Sequence, residues 1–203
     1  MPPNPNCTRC ALHESARSVC VWGVGASDAR IMLVGEAPGA VEDDTGGPFS
    51  GPAGQILNRV LHRAGLKRED VYISNAAKCR PPQNRTPTKS ERAACFPYLA
   101  EEIESVRPKV IVALGGAALD TFTKKSGITA ERGKLLSPAP GVRLGNAKLI
   151  ATFHPAYVLH SGGDPALEEH IVQDLKLAAR IAGLDAGGVA PHQSTYMLLP
   201  DRG

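Results

Sequence analysis

Four short apolar runs alternate along the chain with longer stretches whose apolar positions recur every three or four residues. Residues 31–34, 71–75, 109–114 and 148–153 read as buried strands. Between the first two, Ile56, Leu57, Val60, Leu61 and Ala64 share one helical face, with Gly65 as the C-terminal stop. Thr88 and Glu91 stand at capping-box spacing, opening a helix to about residue 106 that Pro97 should kink. A further helix is expected from about Ala117. Asp164 caps another that starts at Pro165 and turns Leu167, Ile171, Leu175 and Ala178 inward. Strands alternating with helices predict a three-layer α/β/α domain around a central, mainly parallel four-stranded sheet. One such domain is expected over residues 1–184. Residues 185–203, rich in glycine and proline and without periodicity, are expected to form a poorly ordered tail.

The connection after the first strand departs from this regular pattern. From Gly35 to Gly54 it is a Gly/Pro-rich loop of unusual length for a compact domain, which points to function. A strand, a long glycine-rich loop and a helix place ligands at the carboxyl end of an open α/β sheet. The loop lacks both the dinucleotide fingerprint and the P-loop pattern. Its carboxylates (Glu36, Glu42, Asp43, Asp44) do not suit a free phosphate, and its one aromatic, Phe49, must pack on something. Phe49 reads either as a plug over the sheet or as a stacking surface for a planar ligand. Asn75 ends the second strand, either as an Asx-turn or as an amide that donates and accepts at the edge of a base. His154 follows the fourth strand, either as a strand terminator or as a site residue. All three fall on one crevice, which favours a site.

Composition narrows the class. At 203 residues and 21.4 kDa the chain suffices for one domain with a substantial core. No apolar run reaches membrane-spanning length and the N-terminus lacks a signal-peptide core, so a cytoplasmic protein without a membrane partner is expected. The net charge of +3 is unevenly spread: nine Lys/Arg lie between Arg59 and Arg92 against Glu69, Asp70 and Glu91. That block suits either a phosphate backbone or a solvated face. Five cysteines in such a chain argue for a metal or redox site rather than disulfides. Cys7 and Cys10 form a C-x-x-C with no strand before it, so a thioredoxin-like pair does not fit. With Cys79 and Cys95 they could close a four-cysteine site, for zinc or for an iron–sulfur cluster. Cys20, in an apolar run, reads as a small core residue.

Taken together, several of these pieces resemble one family. Gly35-Glu-Ala-Pro-Gly39, Pro48-Phe49 with Gly51-x-Ala-Gly54, Asn75-x-x-Lys-Cys-Arg-Pro81, Asn84-Arg85 and His154-Pro-Ala156 are similar to the motifs of the family 4 uracil-DNA glycosylases. The resemblance covers roughly residues 7 to 183. It implies removal of uracil from single- or double-stranded DNA by a monomer, and a [4Fe-4S] cluster held by Cys7, Cys10, Cys79 and Cys95. It also implies roles for single residues. Phe49 would stack on the flipped uracil, Asn75 would read its O4 and N3–H, and His154 would donate to O2. Gly35, Glu36 and Ala37 would line the base and its attacking water, with Glu36 or Glu42 orienting that water. Leu159 would be the wedge that fills the vacated stack. The chain departs from the family at Ala40, where an acidic residue is common, and at His160, where an arginine commonly follows the wedge. A related branch traps DNA covalently through a histidine between the asparagine strand and the next helix. This chain has no histidine from Val71 to Lys109, which favours hydrolytic turnover over trapping. The rival reading is a damage-binding module that uses the same pocket without turnover.

Overall fold

The computed structural model describes residues 4–184, so the expected C-terminal tail lies outside the described residues. Four strands, β1 (Ile31–Gly35), β2 (Val71–Asn75), β3 (Val110–Leu114) and β4 (Lys148–Thr152), form an all-parallel sheet in the order β2-β1-β3-β4. Seven helices accompany them: α1 (Ala40–Thr45), α2 (Pro52–Arg63), α3 (Lys89–Val106), α4 (Gly116–Thr123), α5 (Ile128–Glu131), α6 (Pro155–His160) and α7 (Pro165–Ala182). A parallel sheet is covered on both faces, so its strands can be apolar at every position. Apart from Lys148, every strand residue is buried. Alternate side chains divide the core in two. Ile31, Leu33, Val71, Ile73, Val110, Val112 and Ile150 face a layer made by α2, α6 and α7. Met32, Val34, Tyr72, Ile111, Ala113 and Leu149 face α3 and α4. The three-layer α/β/α expectation holds.

The helix boundaries follow from local chemistry. Thr88 caps α3 through its hydroxyl, which accepts from the Glu91 amide, and Glu91 returns the bond to the Thr88 amide. Asp164 caps α7 by accepting from the Ala166 amide. The helix α3 continues through Pro97 as a single element, where the sequence suggests a kink. The loop after β1 is less irregular than its composition suggests, because it contains α1. Glu42, Asp43 and Asp44 lie in that one short helix, and acidic groups near a helix N-terminus suit its partial positive charge. Both sheet edges are covered by isolated antiparallel bridges, Val24 on β2 and Leu136 on β4, which shields their free backbone groups. In the order β2-β1-β3-β4, the first crossover runs from β1 out to β2 and the later ones run the opposite way, to β3 and then β4. The carboxyl ends of β1, β2 and β4 thus open on the crevice where such sheets bind ligands.

Candidate active site

The site is built where β1 and β2 end side by side, with Gly35 paired to Asn75 in register. Gly35 is required by close approach. A Cβ there would stand 2.5 Å from Asn75 Oδ1 and 2.6 Å from Phe49 Cζ. The absent side chain therefore marks where the amide and the ring come together. Asn75 is 2% exposed, and its Oδ1 has no hydrogen-bond partner among the described residues. A buried acceptor without a donor is costly, and in a native site it calls for an explanation. A ligand N–H or a water molecule would satisfy it.

Phe49 reaches this point from a strained backbone. Its φ of 52° lies in the left-handed region, uncommon for a bulky residue and worth roughly 1–3 kcal/mol of strain. Gly54, in the first turn of α2, makes the strained turn possible: a Cβ there would lie 1.8 Å from the Phe49 carbonyl oxygen. The ring is 5% exposed and faces His154, with ring centroids 5.5 Å apart and planes 28° apart. These rings are too close for a base to slip between them.

His154 is placed by its role as the cap of α6. Its Nδ1 accepts from the Ala156 amide at 3.1 Å, so the ring proton sits on Nε2. Burial, with His160 adding repulsion, pushes its pKa down to about 4. At neutral pH it is a neutral imidazole with one N–H to donate. Leu159, on the same short helix, is 40% exposed and free to meet a partner, as is Tyr157 at 51%.

The two candidate carboxylates differ. Glu42 Oε2 accepts from the Gly39 amide at 3.0 Å and Oε1 from the Gly51 amide at 2.8 Å. Together the two oxygens tie Gly39 to Gly51 within the Gly35–Gly54 segment. Glu36 is half-buried, and burial raises its pKa, opposed by a hydrogen bond from the Thr86 side chain and by the charge of Arg92. Ala37 packs over the small cluster of Leu12, Ala77 and Cys79, joining the crevice to the cysteine region.

The four cysteines of the expected ligand set converge. The Cys79 thiol feels Cys10 and Cys7, and the Cys95 thiol feels Cys79 and Cys10. Burial pushes Cys79 up to about 11 and Cys95 to about 12. Backbone amides already point at two sulfurs: Cys20 N–H donates to Cys79 Sγ at 3.4 Å and Lys78 N–H to Cys95 Sγ at 3.3 Å. Cys20 is buried, as its apolar run predicts, and its backbone amide also meets the Cys79 sulfur. Among the described residues no three Cys, His, Asp or Glu are gathered as ligands of a single ion.

Sequence reasoning missed the group beneath this region. Lys78 and Glu102 form a fully buried ion pair at 2.6 Å, with Ser74 Oγ donating to Glu102 at 2.6 Å and the Gly23 amide at 2.7 Å. Lys78 also lies over the Trp22 ring. Glu102 is 24 residues from Lys78, on another element, so no local spacing reveals it. The basic block from Arg59 to Arg92 is also changed by folding. Arg59 and Arg63 pair with Glu168 on α7, Arg85 with Glu91, and Arg92 with Asp120. Much of its apparent excess is neutralised by carboxylates remote in sequence.

Comparison with known proteins adds three findings. Residues 22–176 match the Uracil DNA glycosylase superfamily. The chain is 48% identical over 174 residues to a type-4 uracil-DNA glycosylase of Thermotoga maritima, covering 85% of this chain and 87% of the relative. Type-4 uracil-DNA glycosylases of Pyrobaculum aerophilum and Archaeoglobus fulgidus are each 41% identical, covering 85% and 88% of this chain and 87% and 89% of the relatives.

Proposed function

The chain belongs to the uracil-DNA glycosylase superfamily, alongside type-4 relatives, and from that premise we propose that it excises uracil from DNA by hydrolysing the N-glycosidic bond. The observation that carries the reading at residue level is the buried, unpartnered Asn75 Oδ1 beside the Phe49 ring.

Reaching a base inside a duplex requires extruding it, at a cost of a few kcal/mol. Stacking on Phe49 offsets roughly 1–3 kcal/mol of this without selecting a base, and Leu159 fills the space left behind. Asn75 selects. Its Oδ1 accepts from uracil N3–H while its amide N–H donates to O4. Cytosine presents the opposite pattern and leaves both groups unpaired, a mismatch that can discriminate by about 10⁴-fold or more. Bond cleavage leaves negative charge on the uracil ring, much of it on O2. The neutral His154 donates Nε2–H there, as an oxyanion-hole donor worth roughly 10²–10³-fold in rate. Because Nδ1 is held by the Ala156 amide, the donor faces the pocket without a rotamer search. Glu36 orients the attacking water and steadies the cationic sugar. Glu42 holds the loop, since both its oxygens serve backbone amides.

Cys7, Cys10, Cys79 and Cys95 would hold a [4Fe-4S] cluster. The donor set fits: four cysteines converge, two sulfurs already accept amide N–H groups, and a buried ammonium stands nearby. When bound, the cluster supplies covalent ties between the N-terminal segment and the connection that follows β2. Hydrolytic turnover is tested by incubating the protein with uracil-containing single- and double-stranded oligonucleotides and measuring abasic sites. Abasic sites should accumulate beyond one per enzyme, and His154→Ala should slow single-turnover cleavage by about 10²-fold. Uracil binding without abasic sites would instead identify a damage-binding module.

A further inference from the structure

Phe49 stands in a left-handed turn, and side chains of opposite charge hold the loop on either side of it. On its C-terminal side the Glu42 carboxylate accepts from the buried Gly51 amide at 2.8 Å. On its N-terminal side the Arg68 guanidinium donates from Nη2 to the Pro48 carbonyl at 3.0 Å, gripping the peptide that joins Pro48 to Phe49. The other arm, Nη1, donates to Asn58 Oδ1 on α2 at 2.9 Å. Arg68 itself lies just before β2, in a turn where the Lys67 amide donates to Asp70 Oδ2 at 3.1 Å. The guanidinium thus ties the loop after β1 to α2 and to the approach to β2. Arg68 belongs to the basic block of residues 59–92. Four of that block's arginines, Arg59, Arg63, Arg85 and Arg92, meet a carboxylate. Arg68 is half-buried with only neutral oxygens as acceptors among the described residues, and burial lowers its pKa. A cation partly withdrawn from water without a counter-charge is costly to keep, which asks for a compensating role.

We propose that Arg68 is a positioning residue for Phe49, holding through the Pro48 carbonyl the left-handed turn that presents the ring to the base. The inference rests on the glycosylase reading above and deepens it, since it names what sets the stacking surface before a base arrives. Left-handed backbone at a bulky residue persists only where its surroundings over-determine it. Gly54 leaves room for the Phe49 carbonyl and so permits the turn, but it does not hold it. A hydrogen bond from a charged donor is the stronger kind, and a planar fork fixes direction as well as distance. With the Pro48 carbonyl released, the Pro48–Phe49 peptide can turn and Phe49 can relax toward the ordinary negative-φ region. The ring would then leave its place beside Gly35 and Asn75 Oδ1. Stacking is made with the intact base, so this loss should weaken binding and slow cleavage together.

The test compares wild type, Arg68→Met, Phe49→Leu and the double variant in single-turnover cleavage of a uracil oligonucleotide. Binding to an uncleavable uracil analogue, iron content and amide hydrogen exchange are measured in parallel. Arg68→Met keeps the aliphatic stem and removes the donors. It should lower kcat/KM about tenfold and weaken analogue binding alike, with iron content and the salt dependence of binding unchanged. Hydrogen exchange over residues 45–52 should quicken while residues 71–75 stay protected. In the Phe49→Leu background Arg68→Met should cost less than about twofold, because no ring is left to position. A full tenfold loss in that background overturns the inference, as does cleavage at the wild-type rate or unaltered exchange in Arg68→Met. A salt slope lower by about one would also overturn it, by identifying Arg68 as a phosphate contact. If Arg68→Met fails to fold, the same readings on Arg68→Lys, which keeps the charge but loses the fork, decide between these outcomes. Absence of cleavage by the wild type would instead defeat the glycosylase reading, and exchange over residues 45–52 would then judge the inference by itself.

Discussion

Gly35→Ala should inactivate the base pocket while leaving the fold in place. The added methyl would stand 2.5 Å from Asn75 Oδ1, 2.6 Å from Phe49 Cζ and 2.7 Å from Phe49 Cε2. Carbon–carbon contacts settle near 3.5–4.0 Å, so the ring and the amide must both move by about an ångström. Neither can yield through its backbone. Phe49 is set by its left-handed turn against Gly54, and Asn75 belongs to a strand paired with β1. The side chains must rotate away from the positions that would hold uracil. Losing the stacking costs roughly 1–3 kcal/mol, and turning one amide hydrogen bond away costs about 1 kcal/mol more. The sum, about 2–4 kcal/mol, corresponds to roughly 30- to 1,000-fold in single-turnover kcat/KM. Overpacking should lower stability by about 1–3 kcal/mol, seen as a modest fall in Tm. Gly47→Ala is the control, since nothing lies within 4 Å of a Cβ there. A Gly35→Ala protein that cleaves within about threefold of wild type would refute the idea that base, ring and amide share this space.

The other predictions concern the cysteines, pH and salt. Protein purified without oxygen should contain about four irons per chain. Cys79→Ser should lose them, and Cys20→Ser should keep them because Cys20 serves Cys79 through its backbone amide; equal loss from both would show that the ligand set is wrong. His154 has a native pKa of about 4 against 6.5 for the ordinary side chain, so the unfolded chain binds its proton first. Stability is intact above pH 6.5 and lost as pH falls toward 4, by at most about 3 kcal/mol. His154→Gln should flatten that part of a denaturant-derived stability profile, and an unchanged decline would contradict the assignment. Arg85→Ala should lower stability yet leave the salt dependence of DNA binding nearly unaltered, because its guanidinium is engaged by Glu91. A slope reduced by about one would show that Arg85 contacts a phosphate instead.

Much of the fold was legible because parallel strands buried on both faces must be continuously apolar, and residues 31–34 and 110–114 are. Caps at Thr88 and Asp164 were legible because they depend on neighbours three residues away or fewer. The helix α1 was not, since six residues between glycines carry no periodicity. The convergence of Gly35, Asn75 and His154 could be read from their places at strand ends. The split between Glu36 and Glu42 could not, because it depends on which backbone amides fold back onto Glu42. Lys78 gave no local signal, as its partner Glu102 lies on another element. The ion pairs of the basic block were hidden for the same reason: Arg59 and Arg63 meet Glu168 on a remote helix.

The central claim is that Asn75 reads the base, with its buried Oδ1 awaiting the N3–H of uracil. It is tested most directly by single-turnover cleavage of matched uracil- and cytosine-containing oligonucleotides by wild type and Asn75→Asp. The substitution replaces the donor toward O4 with an acceptor, which suits the exocyclic amine of cytosine. Wild type should cleave uracil and leave cytosine intact. Asn75→Asp should be slower overall and shift its preference toward cytosine. Retention of the wild-type preference for uracil would contradict the account.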